Sequence, residues 1–232
     1  MINIIIFCMI SFLVLFLLYT IFPTVLIRVT GWGITKKVKT EGIALTFDDG
    51  PSPEYTELLL DLLKKYDAKA TFFVVGSNVK RNPEIIKRMY LEGHTIGIHH
   101  FDHISSWLLS PFQLKRQLNM TEMAIRECTN EKVTYYRPPW GHFNLFTLLL
   151  SKKYKVIMWS DIFGDWKVDK CKNGLLDQLR KTTEAGSILL LHDCGETWGA
   201  DKEAPKFMME NLAIFLKENQ NKGTRFVTLK DR

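Results

Sequence analysis

The chain has 232 residues, of which 46% are hydrophobic and 24% are charged, and its formal net charge is +6. This length and apolar content exclude an intrinsically disordered chain and fit one large domain with a substantial core. No basic run is interleaved with aromatic residues, so the positive charge indicates a solvated surface and not a nucleic-acid interface.

The chain begins with an apolar segment that has no charged side chain before Arg28. Its length exceeds the roughly 20 apolar residues that are needed to cross a bilayer. The alternative, a cleaved signal peptide, has a basic start and a small-residue cleavage site, and this segment has neither. We therefore predict a transmembrane signal-anchor helix over residues 1–28, a linker over 29–41 and one domain over 42–232.

The charges near this helix bear on its orientation. Four basic residues follow the helix: Arg28, Lys36, Lys37 and Lys39. The positive-inside rule taken alone would keep the domain in the cytoplasm. This prediction conflicts with a later one on substrate, and both stay open at this point.

The four cysteines do not form a disulfide framework. Cys8 lies in the apolar segment, which leaves Cys128, Cys171 and Cys194, an odd number without metal-type spacing. At most one disulfide is therefore possible outside the membrane segment.

Beyond the linker, apolar β-rich runs alternate with runs of helical period. The predicted strands are 43–48, 69–75, 95–99, 133–137, 155–160, 187–192 and 225–229. The predicted helices are 54–66, one from Asn82-Pro83 to Gly93, one from Ser110-Pro111 to about Cys128, 143–152, 174–184 and 204–218. Because the strands are too apolar to be exposed on one side, they indicate a parallel sheet covered by helices, either open or closed as a barrel.

Polar residues follow five of the seven predicted strands. They are Asp48, Asp49, His99, His100, His103, Arg137, Asp161, Asp165, His192 and Asp193. In both open and closed parallel sheets, ligands bind at the carboxyl ends of the strands. We therefore expect these groups to form one composite site.

The residue types at this site favour a metal. His99 and His103, four residues apart, together with a carboxylate make a set suited to zinc or another first-row divalent ion, with positions left open for water and substrate. A divalent ion also relieves the repulsion between the adjacent acids Asp48 and Asp49. One acid can then bind the ion while its neighbour acts as a base.

Five motifs, TFDDGP, H-x-x-x-H at 99–103, RPPWG, DIFGDW and LLLHD, occur in this order. Together they resemble the five motifs of the NodB-homology polysaccharide deacetylases, carbohydrate esterase family 4, over about residues 42–231. The resemblance implies an α/β fold, a distorted (β/α)7-type barrel, here preceded by one N-terminal transmembrane helix. It also implies removal of acetyl groups from carbohydrate polymers by an enzyme that uses one divalent metal ion. Zn²⁺ is the expected ion, and Co²⁺, Ni²⁺ and Mn²⁺ are the alternatives.

The resemblance further implies roles for the polar residues. Asp49, His99 and His103 correspond to the metal ligands. Asp48 corresponds to the general base that deprotonates the water activated by the metal, and His192 to the general acid that protonates the leaving amine.

Five more residues take supporting roles by the same resemblance. Arg137 lies beside the base, and the backbone N–H of Trp140 donates to the oxyanion. Asp165 either orients Arg137 or tunes the general acid. Trp166 and Leu191 wall an apolar pocket for the acetyl methyl group.

The chain departs from the family pattern near the site. His100 replaces a usual Ser or Thr, and it either ties down the loop by a hydrogen bond or disturbs the metal site. Ile104 replaces a usual proline, Trp140 replaces a usual Tyr or Phe and narrows the groove, and the loop at 193–205 is unlike the usual short one.

Three functional hypotheses follow. The first is a monomeric, single-pass membrane enzyme that faces the cell wall and removes N-acetyl groups from an N-acetylglucosamine-containing polysaccharide, with peptidoglycan as the substrate. The second is a cytoplasmic deacylase or deformylase of a lipid-linked sugar, which the basic residues after the helix favour. The third, an inactive carbohydrate-binding homologue, is disfavoured because every implied catalytic and metal-binding residue is present.

Overall fold

The structure, a computed structural model, describes residues 2–182 and 184–230. Four residues of the predicted ranges lie outside this part: Met1, Thr183, Asp231 and Arg232. The helices are α1 (Ile2–Tyr19), α2 (Ile21–Thr30), α3 (Thr56–Lys65), α4 (Gly76–Arg81), α5 (Pro83–Leu91), α6 (Pro111–Thr129), α7 (Thr147–Leu150), α8 (Val168–Lys172), α9 (Leu175–Lys181) and α10 (Ala204–Asn221). The strands are β1 (Ile34–Thr35), β2 (Ala44–Asp48), β3 (Ala70–Val74), β4 (Thr95–Ile98), β5 (Tyr135–Tyr136), β6 (Lys155–Ile157), β7 (Asp161–Ile162) and β8 (Ile188–His192).

The strands form one parallel sheet in the order β1-β6-β5-β4-β3-β2-β8-β7. β2 lies between β3 and β8, and its last residue, Asp48, is in register with Phe73 on β3 and with His192 on β8. Parallel strands need crossover connections, and helices fill most of them. The α/β fold with a curled parallel sheet is confirmed.

The chain itself passes from one edge of this sheet to the other between β6 and β7. Met158 N donates to Thr35 O at the end of β1, and two residues later Ser160 N donates to Ile188 O on β8. An antiparallel bridge between Lys37 and Ser187 connects the same two edges. The sheet is therefore a distorted barrel, in which irregular chain replaces a full ladder at the closure.

Burial on both faces explains the apolar strands. All residues of β2 and β3 are buried, and Phe47 stacks on Phe72 of the neighbouring strand with ring centroids 5.3 Å apart. The helices bring apolar stripes onto the sheet, for example Leu59, Leu60 and Leu63 of α3. Each such side chain contributes about 1.5–3 kcal/mol when it is fully removed from water.

Two predictions about elements need correction. The predicted strand 225–229 is only an isolated bridge from Phe226 to Ile43. The predicted linker 29–41 contains β1, which pairs with β6. β1 and β7 have two residues each, too few to show the alternation by which a strand is predicted.

All four cysteines are free thiols.

The N-terminal segment Asn3–Thr30 is helical and contains an 18-residue window with a mean hydropathy of 2.9, so it is long and apolar enough to cross a membrane. Its two halves differ in burial. Side chains 3–18 are exposed apart from the half-buried Ser11, whereas α2 buries Pro23, Thr24 and Ile27 against the rest of the chain.

Candidate metal centre and active site

A pocket of about 340 Å³ opens at the carboxyl ends of the strands. Five of the predicted polar residues line it: Asp48, Asp49, His99, His103 and His192. They follow β2 and β4 and end β8, so one edge of the parallel sheet brings them together. Arg137 and Asp165 lie behind this first layer and hydrogen-bond to Asp48 and His192, respectively.

Three potential metal ligands converge in this pocket. Asp49 Oδ1 lies 3.3 Å from His99 Nε2 and 3.0 Å from His103 Nε2. One ligand atom from each of the three residues falls within 4.8 Å of the others. A carboxylate oxygen and two imidazole nitrogens are a common donor set for zinc.

The hydrogen bonds around this set leave its ligand atoms available. His99 Nδ1 lies 2.8 Å from the carbonyl oxygen of Arg137, which can only accept, so the proton is on Nδ1 and Nε2 presents its lone pair. Thr197 Oγ1 donates to Asp49 Oδ2 at 2.7 Å. Asp49 Oδ1 is buried and has no hydrogen-bond partner among the described residues. The set therefore fits a bound cation.

The charge state of Asp49 agrees with this fit. Burial works against ionisation, but the neighbouring imidazoles of His103 and His99 have the larger combined effect, and the pKa of Asp49 lies well below its usual range. An ionised carboxylate is the form that binds a metal.

Backbone strain is concentrated at the site. Within the described ranges, six non-glycine residues have positive φ, and four of them belong to the site loops: Asp49, His100, His103 and Trp140. Such conformations cost of order 1–3 kcal/mol each and persist only where the surroundings enforce them. Here they turn the chain sharply after β2, β4 and β5, where the ligands and the pocket wall are presented.

Asp48 is held by a buried arginine. Arg137 is fully buried, and its Nη1 donates to Asp48 Oδ1 at 2.7 Å and to Thr46 Oγ1 at 2.8 Å. Its Nε and Nη2 donate to the carbonyl oxygens of Ile157 and Met158. Burial lowers the pKa of Arg137 and the charge of Asp48 opposes this change. These four acceptors give the buried guanidinium its hydrogen-bond partners, and the bond to Asp48 fixes that carboxylate at the floor of the pocket.

His192 is held by Asp165. Asp165 Oδ1 lies 3.0 Å from His192 Nδ1, and Asp165 Oδ2 accepts from the backbone N–H of His192 at 2.7 Å. Burial lowers the pKa of His192, but the negative charges of Asp165, Asp49 and Asp48 and the hydrogen bond to Asp165 together raise it by more, and the net pKa is about 9. Of the two roles predicted for Asp165, the geometry selects contact with His192 over contact with Arg137.

His100 does not face the metal ligands. Its Nδ1 lies 2.7 Å from the carbonyl oxygen of Ile104, and its Nε2 lies 2.8 Å from the hydroxyl of Tyr136. Burial lowers the pKa of His100 to about 3, so the ring is neutral. His100 therefore ties down the loop that carries His103, which is the first of the two predicted alternatives.

The predicted pocket walls need one correction. Trp140, which is 39% exposed, packs against His103 with ring centroids 4.4 Å apart, and Trp166 packs edge-on against His192 at 5.3 Å. Leu190, and not Leu191, lines the pocket, while Leu191 lies in the hydrophobic core. Side chains alternate along a strand, so Leu190 shares the face of His192.

Two predicted polar residues lie apart from the pocket wall. Asp161 accepts a hydrogen bond from its neighbour Ser160. Asp193 is buried and accepts from Thr56 Oγ1 at 2.6 Å, and burial raises its pKa to about 7. Asp193 therefore supports the Gly50 turn, where an added Cβ would lie within 2.4 Å of its carboxylate.

Sequence reasoning missed several pocket residues. Thr197 and Trp198 come from the long loop after β8, whose position no periodicity predicts, and Trp198 is 89% exposed. Arg28, from the end of α2, also lines the pocket, with its guanidinium 5.6 Å from the centre of the Trp159 ring. The position of Arg28 directly after the apolar segment gave no indication that its side chain would line the pocket.

Comparison with known proteins agrees with this geometry. The family model described as "Polysaccharide deacetylase" matches residues 35–159. A peptidoglycan-N-acetylglucosamine deacetylase of Bacillus cereus is 34% identical over 193 residues, which cover 82% of this chain and 86% of the relative. The chain therefore belongs to the polysaccharide deacetylase family.

Solved structures agree in fold. The peptidoglycan deacetylase PdaC of Bacillus subtilis superposes with a TM-score of 0.72 at 33% identity, over 83% of this chain and 89% of that one. A pseudoenzyme of carbohydrate esterase family 4 from Bacillus anthracis superposes with a TM-score of 0.70 at 26% identity, over 83% and 65% of the two chains. Among the curated relatives, the aligned part of this chain spans from 33% to 86% of their length.

Proposed function

We propose that this chain is a metal-dependent hydrolase that removes N-acetyl groups from N-acetylglucosamine residues of peptidoglycan. One observation carries the proposal. A carboxylate held by arginine, Asp48, and an imidazole held by a carboxylate, His192, flank three convergent metal-ligand atoms in one pocket. The relatives named as peptidoglycan deacetylases support the choice of polymer.

The chain's own groups divide the proton transfers between them. Asp48, held in place by the hydrogen bond from Arg137, takes a proton from the attacking water. His192, kept protonated by Asp165, gives a proton to the leaving amine nitrogen as the amide C–N bond breaks. Base and acid are therefore different residues, and their neighbours favour opposite protonation states.

Asp49, His99 and His103 would hold one divalent ion, with zinc as the ion that suits this donor set. Bound there, the ion supplies Lewis acidity, which polarises the acetyl carbonyl and makes water more acidic. The backbone N–H of Trp140 is the proposed donor to the oxyanion, and Trp166 and Leu190 are the proposed walls around the acetyl methyl group.

We further propose that the N-terminal helix is a single-pass membrane anchor and that the monomeric enzyme faces the cell wall. The exposed apolar side chains of α1 support the anchor. The position of peptidoglycan outside the membrane supports the orientation, against the positive-inside rule taken alone.

A lipid-linked sugar is a second candidate substrate. Arg28, which directly follows the apolar segment, lines the pocket, and a guanidinium suits a phosphate group of such a substrate. The mouth of the pocket therefore lies close to the proposed membrane anchor, where a lipid-linked sugar would be held.

Acetate release by the full chain in detergent tests these proposals. The full chain is needed because α2 buries side chains against the domain and contributes Arg28 to the pocket. We expect release from peptidoglycan, its loss after chelation, and its recovery on addition of zinc. The matched inactive variant is D48N, measured on the same substrates.

Each other outcome points to a different hypothesis. Release from a lipid-linked N-acetylglucosamine but not from peptidoglycan would favour the second substrate. Metal binding without release from any of these substrates would favour an inactive carbohydrate-binding protein. Full activity in the chelated enzyme would contradict the metal dependence.

A further inference from the structure

The end of the apolar helix is built into the catalytic domain. Thr24 Oγ1 donates to Phe143 O at 2.7 Å and accepts from Phe143 N at 2.9 Å and from Trp107 Nε1 at 2.8 Å. Tyr19 donates its hydroxyl proton to Leu109 O at 2.7 Å. These bonds fix the last residue of α1 and the helix α2 on the segments that precede α6 and α7.

A proline makes one of these attachments possible. Pro23 has no N–H, so the carbonyl oxygen of Tyr19, four residues earlier, lacks its usual helical donor. Leu145 N donates to this oxygen at 3.0 Å. The domain thus supplies the hydrogen bond that the helix cannot make.

The docking of α2 limits the length of helix that is free to cross a bilayer. α1 has 18 residues and is therefore about 27 Å long. The hydrocarbon core of a bilayer is about 30 Å thick. If α1 spans the membrane, the domain face that binds α2 must lie at the bilayer surface, because no spare helix or linker separates the two.

That face is apolar and exposed. Nine of the described residues line one groove of about 340 Å³ beside α2 and α7, and five of them are exposed apolar side chains: Phe22, Leu26, Trp32, Leu145 and Leu149. Their exposed fractions range from 40% for Leu26 to 67% for Trp32, and no charged residue is among the described residues that line the groove. We call these five residues the apolar collar. Exposed patches of this kind mark protein or membrane contacts, and Trp is enriched at membrane–water interfaces.

We propose that the apolar collar lies in the interfacial layer of the membrane that α1 crosses, and that the catalytic domain rests on the bilayer. The occupant of the groove is lipid, because the groove continues directly from the helix that is anchored in lipid. Arg28, on the same helix, lines the active-site pocket. The pocket therefore opens near the lipid headgroups, and the substrate class within reach is membrane-proximal glycan. This inference rests on the membrane anchor proposed above.

Depth-dependent quenching in liposomes tests the apolar collar. Leu149→Cys in the full chain, with Cys8→Ala and Cys128→Ser to remove the accessible thiols, is labelled with a fluorophore and reconstituted in phosphatidylcholine vesicles that contain doxyl-labelled lipid. The control is Leu58→Cys on α3, because Leu58 is 55% exposed and Leu149 is 60% exposed. We expect strong quenching at position 149 and little at position 58. Trp32→Cys provides a second collar position if Leu149→Cys does not fold.

The outcomes separate this inference from the proposals on which it rests. A chain that resists carbonate extraction but shows equal, weak quenching at both positions would overturn the collar and leave the anchor intact. Cross-linking between copies through position 149 without quenching would assign the face to a second copy and also overturn it. A chain that carbonate extracts from the vesicles would remove the anchor and the collar together. Acetate release, measured separately, reports on the deacetylase activity alone.

Discussion

Asp48 and His192 occupy partner positions at the carboxyl ends of the neighbouring parallel strands β2 and β8, and each is bound to a residue of opposite charge. Arg137 binds the carboxylate and Asp165 binds the imidazole. The sheet register alone therefore brings the proposed proton acceptor and the proposed proton donor to the same pocket. Because the two charged pairs are separate, we expect variants of Asp48 and of Asp165 to have different effects.

Replacing Asp48 by Asn is expected to lower the rate of acetate release by about 10²–10⁴-fold, because the amide cannot accept a proton from water. Zinc stoichiometry should stay at the wild-type value, since Asp48 is not in the convergent ligand set. The control is D61N, which changes an exposed acid on α3 that pairs with Arg88. Wild-type rates in D48N would rule out Asp48 as the base.

Replacing Asp165 by Asn is expected to shift the alkaline limb of the kcat–pH profile to lower pH by about 1–3 units. His192 must be protonated to act as an acid, so activity falls as pH rises through its pKa. In the protein without metal this pKa is about 9, and a bound divalent ion adds positive charge and lowers it. An unchanged alkaline limb in D165N would show that His192 is not the acid or that Asp165 does not tune it.

The same pair predicts a pH dependence of stability. The pKa of His192 is raised in the folded chain from an ordinary value of 6.5 to about 9. Its contribution is therefore fully present below about pH 6.5 and is lost as pH rises through about 9. Thermal unfolding of the metal-free chain across this window should show the loss, and D165N should show less of it.

Replacing Asp49 by Asn is expected to abolish the rise in unfolding temperature that zinc gives the chelated wild-type protein. A ligand that binds only the folded state stabilises it by RT ln(1 + [L]/Kd), and this variant weakens binding because it removes the charged ligand of the set. D161N is the matched control, because Asp161 is an acid of the site motifs that lies outside the set. A zinc-dependent rise of wild-type size in D49N would mean that zinc binds elsewhere.

Motif order and strand ends predicted which polar side chains converge in one pocket, because parallel strands deliver their carboxyl ends to one edge. The hydrophobicity of β8 does not distinguish Leu190 from Leu191, since every position before His192 is apolar, but alternation along the strand from His192 selects Leu190. The role of His100 could also be decided only from its contacts in the structure. A histidine can serve a metal or a loop, and only its contacts with Ile104 and Tyr136 distinguish the two.

The docked helix shows another limit of sequence reasoning. A segment that is apolar on all sides predicts a membrane span, and hydropathy does not tell where lipid ends and protein begins. The signals present were polar or helix-breaking residues within the apolar run, namely Thr20, Pro23 and Thr24. Each proves to lie in the buried part of the segment.

Replacing Thr24 by Val tests whether this docking stabilises the catalytic domain. Valine keeps the shape but leaves Phe143 N and Trp107 Nε1 without the acceptor that they share. We expect the free energy of unfolding of the full chain in detergent to fall by about 1–3 kcal/mol. Thr30→Val is the control, because the Thr30 hydroxyl is exposed and bonds only within its own helix and turn, so its effect should stay within about 0.5 kcal/mol. Equal stability of the two variants would mean that α2 is not part of the folded domain in solution, whereas a loss confined to Thr24→Val makes the helix end a structural element of the active-site wall.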